Sequence, residues 1–273
     1  MMVDAVSQGR PRRQRRTVAR VVLTIEPESL DGEAIDTAVR LARAYRAELV
    51  TLFVKTSDML NMAAMPFGAT VISRSGVSRS IDPIMLDHRL ERLARQAEAL
   101  LARSAAGLRW SFRTATGHTE QVAAREASQG DLLAICSRTA RQVNDTVGAL
   151  ACSLLLLGDG VAGGRPVVAL FEGDTGVLAG AREMAEAFDR DLAIVLPATA
   201  GSKERRAAQG WLSRHGVGAR LVKSPSADPA ALARELAQLS PGLLVMDRHG
   251  PAARAVQQVH EADRRALPLL LVS

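Results

Sequence analysis

The sequence predicts an α/β fold of two tandem doubly wound units, each a five-stranded parallel sheet in the order 3-2-1-4-5 with helices on both faces. Three observations carry this. Short apolar runs alternate with helical patterns along the whole chain after residue 17, an alternation that joins parallel strands through crossover helices. The run Cys152-Ser-Leu-Leu-Leu-Leu157 has a counterpart in Pro268-Leu-Leu-Leu-Val-Ser273, so a closing strand occurs twice. Between the copies lies Gly158-Asp-Gly-Val-Ala-Gly-Gly-Arg165, a stretch in which turns cost little. The division is a basic tail at 1–17, a first unit at 18–157 with an insertion at 55–82, a linker at 158–165 and a second unit at 166–273.

From Val18 to Ile25 the run is continuous and largely β-branched, as in a strand covered on both faces. A helix follows with Ile35, Ala38, Val39 and Ala42 on one stripe, the 3.6-residue spacing of an amphipathic helix. Ala47 to Val54 is the second strand, and 55–82 is an irregular stretch. At Asp82-Pro83 a helix starts, with aspartate as N-cap and proline at the first position; its stripe is Leu86, Leu90, Leu93, Ala94, Ala97, Leu100 and Leu101. Leu108, Trp110, Phe112 and Thr114 alternate with Arg109, Ser111 and Arg113, which places that strand at a sheet edge. A helix over Thr119 to Ser128, a buried strand over Asp131 to Cys136 and a helix from about Thr139 complete the first unit.

The second unit repeats the order, with strands at Pro166–Phe171, Asp191–Leu196, Ala219–Lys223, Gly242–Met246 and Pro268–Val272. Its first helix turns Val177, Ala181, Met184, Ala185 and Phe188 inward; its third starts at Asp228-Pro229 with Leu232, Ala233 and Leu236 inward. Each fifth strand should end its own sheet, and an apolar edge of that kind needs a cover. Pairing Ser153–Leu157 antiparallel with Leu269–Ser273 would supply it, joining the units as a pseudo-dimer.

Bulk composition narrows the classes. Only 3% of residues are aromatic against 47% hydrophobic overall, so alanine, leucine and valine must build the interior. No apolar run approaches the length of about eighteen residues that a membrane helix needs, and the basic start leads into no apolar segment of a secretory signal. Cys136 and Cys152 sit in apolar runs and read as small buried hydrophobes; the expected compartment is the cytoplasm. Residues 1–20 hold six arginines against Asp4, a balance of +5 out of the total of +6. Arg10, Arg12, Arg13, Arg15 and Arg16 therefore form an anion-binding tail suited to nucleic acid, an anionic membrane surface or an acidic protein.

Gly158, Gly160 and Gly163 match G-x-G-x-x-G. That fingerprint requires a following helix to hold a pyrophosphate, and here Pro166 opens a strand-like run, so the match is a linker. The five histidines form no H-x-x-x-H pair, and no G-x-S-x-G or G-x-x-x-x-G-K-[ST] motif occurs. No enzyme activity and no metal site are expected.

Val-Val-Leu-Thr-Ile-Glu-Pro-Glu-Ser (21–29) and Val-Val-Ala-Leu-Phe-Glu-Gly-Asp-Thr (167–175) resemble the opening strand and V-D-G-S turn of the universal stress protein family. Leu-Val-Thr-Leu-Phe-Val (49–54) resembles its second strand, and 131–135 and 242–246 its fourth. The resemblance covers nearly all of the chain after residue 17 and implies the tandem form of that family. In its nucleotide-binding members the fourth strand runs into a G-x2-G-x9-G-[S/T] loop that wraps phosphates. Here Ser137-Arg-Thr-Ala140 and Asp247-Arg-His-Gly-Pro251 follow instead, and the Gly-[Ser/Thr] positions hold Ala140-Arg141 and Ala255-Val256. The family's adenine-side acid aligns with Glu26, followed by Pro27, and with Glu172, followed by Gly173; Gly250 is the surviving loop glycine. The resemblance therefore implies a stress-type protein without a resident cofactor that works through a protein partner. Its alternative is an ATP or AMP sensor using Glu26, Glu172, Gly173 and Gly250, the second copy above all.

The insertion offers the docking residues. Met59, Met62 and Met65 recur every three residues ahead of Phe67, giving one adaptable apolar face, and a loop this long in a compact unit is usually functional.

Overall fold

The computed structural model describes residues 18–30, 32–57, 61, 70–72, 78–80, 82–136, 150–157, 164–224, 228–251 and 268–272. The strands are β1 (Arg20–Ile25), β2 (Glu48–Thr56), β3 (Thr70–Ile72), β4 (Ser78–Ser80), β5 (Trp110–Gly117), β6 (Leu132–Cys136), β7 (Ser153–Leu157), β8 (Val167–Leu170), β9 (Leu192–Leu196), β10 (Arg220–Lys223), β11 (Leu243–Asp247) and β12 (Leu269–Val272). The described helices are α1 (Gly32–Tyr45), α2 (Pro83–Ser104), α3 (Thr119–Glu126), α4 (Thr175–Phe188), α5 (Ser202–His215) and α6 (Pro229–Gln238).

Ten strands share one sheet in the order β10-β9-β8-β11-β12-β7-β6-β1-β2-β5. Neighbours are parallel throughout except β12 and β7, which run antiparallel with Leu269 opposite Leu156, Leu270 opposite Leu155 and Leu271 opposite Leu154. All of β7 and β12 is buried, so this seam hides the apolar strands that would otherwise be open edges. The outer edges are β5 and β10, which expose Arg113, Arg220 and Lys223. Charged side chains there discourage a further strand from adding on.

Period-two alternation sends each strand's side chains to two cores. On one face α1 packs Ile35, Ala38, Val39 and Ala42, α4 packs Val177, Ala181, Met184 and Phe188, α2 adds Leu101 and α5 adds Trp211. On the other face Ala123 of α3 and Leu232 and Leu236 of α6 meet Val50, Leu133, Leu154, Val168 and Met246. The side chain of Asp82 accepts from Ile84 N at 2.9 Å and that of Asp228 from Ala231 N at 3.1 Å, satisfying helix-start amides as their Asp-Pro sequences predict. Leu90, Ala94, Ala97 and Leu101 are the fully buried positions of α2, with Leu86, Leu93 and Leu100 half-buried on its flanks.

The stretch 55–82 needs correction. Lys55 and Thr56 extend β2, and β3 pairs antiparallel with β4 as a separate two-stranded sheet, so the stretch is not irregular throughout. Three-residue strands such as Ser78–Ser80 carry too few residues for alternation to register. Met59, Met62, Met65 and Phe67 lie outside the described residues, as do Arg10, Arg12, Arg13, Arg15 and Arg16 and the expected helix from Thr139. Among the described residues no helix is long and apolar enough to cross a membrane.

Candidate functional site

Open parallel sheets keep their sites beyond the carboxyl ends of their strands, and β1 and β8 each lead into a glutamate. Glu26 follows β1 and is only 4% exposed. Thr119, the first residue of α3, donates from Oγ1 to Glu26 Oε1 at 2.6 Å. Pro27 opens a short 3-10 turn through Ser29, whose carbonyl accepts from Cys136 Sγ at 3.3 Å. These contacts tie the ends of β1 and β6 together with the chain's own side chains.

Glu172 follows β8 by two residues and is half-buried. Gly173 has φ +124, a conformation side chains disfavour, and faces open space. The structure brings Glu172 and Gly250 together: a Cβ built on Gly250 would collide with Glu172 Oε2. After β11 the chain turns tightly about Asp247. Its Oδ1 accepts from His249 N at 2.9 Å and its carbonyl from Gly250 N at 3.3 Å. Two amides that a phosphate would need are thus bonded within the turn, and two carboxylates stand beside them.

Arg248 is the residue that sequence reasoning missed. It is 7% exposed, and its Nη2 donates to the Cys152 carbonyl at 2.6 Å while Nη1 donates to the Leu150 carbonyl. Its own amide donates to Val272 O at 2.9 Å. The side chain therefore crosses β12 and caps the backbone entering β7. A lone arginine in a turn carries no periodic signal that would announce this burial.

The opposite end of β1 holds a second polar cluster. Arg20 donates to Asp131 through Nη2 at 2.7 Å and Nε at 3.3 Å, and to the Glu126 carbonyl at 3.0 Å. The hydrogen bond to Asp131 raises the Arg20 pKa above its ordinary value. Arg113 pairs with Glu126 at 3.4 Å. This is a bidentate structural clasp between strand start and helix end. Burial pushes the Cys152 thiol up, so it stays protonated and unreactive; Cys136 and Cys152 are both free and buried. Among the described residues no group of three or more His, Cys, Asp or Glu side chains is placed to hold a metal.

No protein-family model matches this chain, and no curated protein matches it. Solved structures do. A universal stress protein from Archaeoglobus fulgidus DSM 4304 superposes over 95% of this chain and 97% of its own, with TM-score 0.57 at 11% identity. The cytoplasmic domain of a prokaryotic cation chloride cotransporter superposes over 93% and 94%, with TM-score 0.51 at 12% identity. The chain thus has a universal-stress-protein-like α/β fold, with a mostly parallel ten-stranded sheet and helices packed against it.

Proposed function

We propose that this chain is a non-enzymatic, cytoplasmic, tandem universal-stress-type protein that serves as a partner-binding or regulatory module. The observation that carries the reading is the closed turn at Asp247–Gly250, whose amides bond to Asp247 and whose glycine lies under the Glu172 carboxylate. A second closure, Thr119 on Glu26, supports it at the other central strand. Among the described residues neither strand end then offers a ready cradle for phosphate. In this reading units 18–157 and 166–273 form an intramolecular pseudo-dimer about an axis near Leu155 and Leu270, and no cofactor is resident. That a cytoplasmic domain of a cotransporter has the same fold supports a module that serves other proteins rather than performing chemistry.

The partner contact falls to the insertion, through Met59, Met62, Met65 and Phe67, whose side chains adapt to varied apolar surfaces. Affinity capture with the full chain and with its Met59→Ser/Met62→Ser/Met65→Ser variant tests this. A protein retained by the first and lost by the second is expected; identical captures overturn the docking role. The competing reading is an ATP or AMP sensor built on Glu172, Gly173 and Gly250, and direct nucleotide titration separates the two.

A further inference from the structure

At the seam, on the face covered by α1 and α4, two cavities meet at Tyr45. The inner one, about 90 Å³, is lined by residues that include Val18, Tyr45, Asp131, Ser153 and Leu270. The outer one, about 200 Å³, is lined by Ala44, Tyr45, Glu183, Glu186 and Ala187. Tyr45 donates from its hydroxyl to Glu183 Oε2 at 3.1 Å. Glu183 is 8% exposed. The carboxylate of Glu186 lies 3.6 Å from Arg182 Nε, an arginine whose guanidinium is also held over Trp211 at 5.8 Å. In the inner cavity Asp131 is bound by Arg20. The outer groove is thus lined by two carboxylates, Glu183 and Glu186, beside the methyls of Ala44 and Ala187.

We propose that this acidic groove is the docking site of the chain's own arginine-rich segment, residues 10–17. Three observations identify the occupant. Val18 lines the inner cavity and is packed against the core, so the segment before it starts from the wall of the cavity that shares Tyr45 with the groove. Tyr45 is common to both cavities, and the two residues from Val18 back to Arg16 span at most about 7 Å, so the tail begins within reach of Glu183 and Glu186. The segment holds Arg10, Arg12, Arg13, Arg15 and Arg16 and no acid. A guanidinium forks onto a carboxylate while its methylene stem lies along apolar surface, which suits carboxylates above Ala44 and Ala187. This goes beyond the partner-binding reading and does not depend on it. A tail docked here is withheld from nucleic acid or anionic lipid, so release from the groove sets its availability.

Limited trypsin digestion of the full chain, followed by intact mass, reads the exposure of Arg12, Arg13, Arg15 and Arg16. Rates are normalised to a free peptide of residues 1–20. Cutting should be at least about threefold faster in the Glu183→Gln/Glu186→Gln variant than in the wild type, the scale of two weak ion pairs. High salt should speed cutting of the wild type and leave the variant unchanged. Equal rates for the two proteins, with no salt effect on the wild type, overturn the proposal. Protection that grows with protein concentration also overturns it, because the tail would then lie on a second copy. The salt series on the wild type decides the matter even if the double variant fails to fold.

Discussion

The guanidinium of Arg248 donates to the Cys152 carbonyl at 2.6 Å across 96 residues of sequence. It reaches over β12 from the end of β11 to the start of β7, while the backbone amide of Arg248 holds Val272 of β12, so one residue fastens both strands of the antiparallel seam. Arg248→Ala removes this bond and the one to the Leu150 carbonyl, leaving buried acceptors unsatisfied. We expect a loss of about 3 kcal/mol, read as a lower urea midpoint. Arg248→Lys should recover less than half of it, because an ammonium cannot reproduce the planar fork.

The seam itself gives a second prediction. Leu155 and Leu270 face each other across it at 0% and 2% exposure. Leu155→Lys or Leu270→Lys places a charge between them and should cost about 4 kcal/mol or more. Circular dichroism should show helix content retained while denaturation splits into two transitions. A single cooperative transition with all structure lost would show that the halves do not fold independently.

Gly250 tests the closed turn. The colliding atom is the far end of the Glu172 side chain, and the other neighbours of a built Cβ, on Asp247, stand at 3.4 Å. Gly250→Ala should therefore cost about 1 kcal/mol or less, and Glu172→Ala should abolish that cost in a double-mutant cycle. A loss several times larger would mean that the glutamate is held rigidly.

Cys152 sets a pH dependence. Burial raises its pKa above the ordinary 9.0. Below that value the thiol is protonated in both states and its contribution is constant. As pH rises past it, the unfolded thiol ionises first and stability falls until the folded value is reached. The urea midpoint should drop more steeply above pH 9.0 in the wild type than in Cys152→Ala. Neither Cys136 nor Cys152 should react with a thiol reagent before unfolding, since both are buried.

What was legible follows from what is local. Continuous apolar runs such as Leu132–Cys136, the Asp82-Pro83 and Asp228-Pro229 helix starts and the stripe Ile35, Ala38, Val39, Ala42 each lie within a few residues, and periodicity reports them. The exposed alternation at Arg113 marked β5 as an edge. The described residues after the G-x-G-x-x-G match lead into the strand β8 at Val167, where that fingerprint requires a helix. What escaped is nonlocal or too short. Arg248 on Cys152, Tyr45 on Glu183 at a separation of 138, and Thr119 on Glu26 at 93 arise only when distant strands and helices meet. The β3–β4 hairpin is too brief for any pattern. Glu172 and Gly250 were both named from the sequence, yet their close approach belongs to the fold.

The central claim is that neither strand-end site holds a nucleotide, and titration calorimetry of ATP and AMP into the full chain tests it most directly. The closed turn at Asp247–Gly250 and the capped Glu26 predict no saturable heat for either nucleotide at micromolar concentration, with no change after Gly250→Ala. Saturable binding in the micromolar range, about 8 kcal/mol of affinity, that is lost on Gly250→Ala would contradict the account and assign the chain as an adenine-nucleotide sensor.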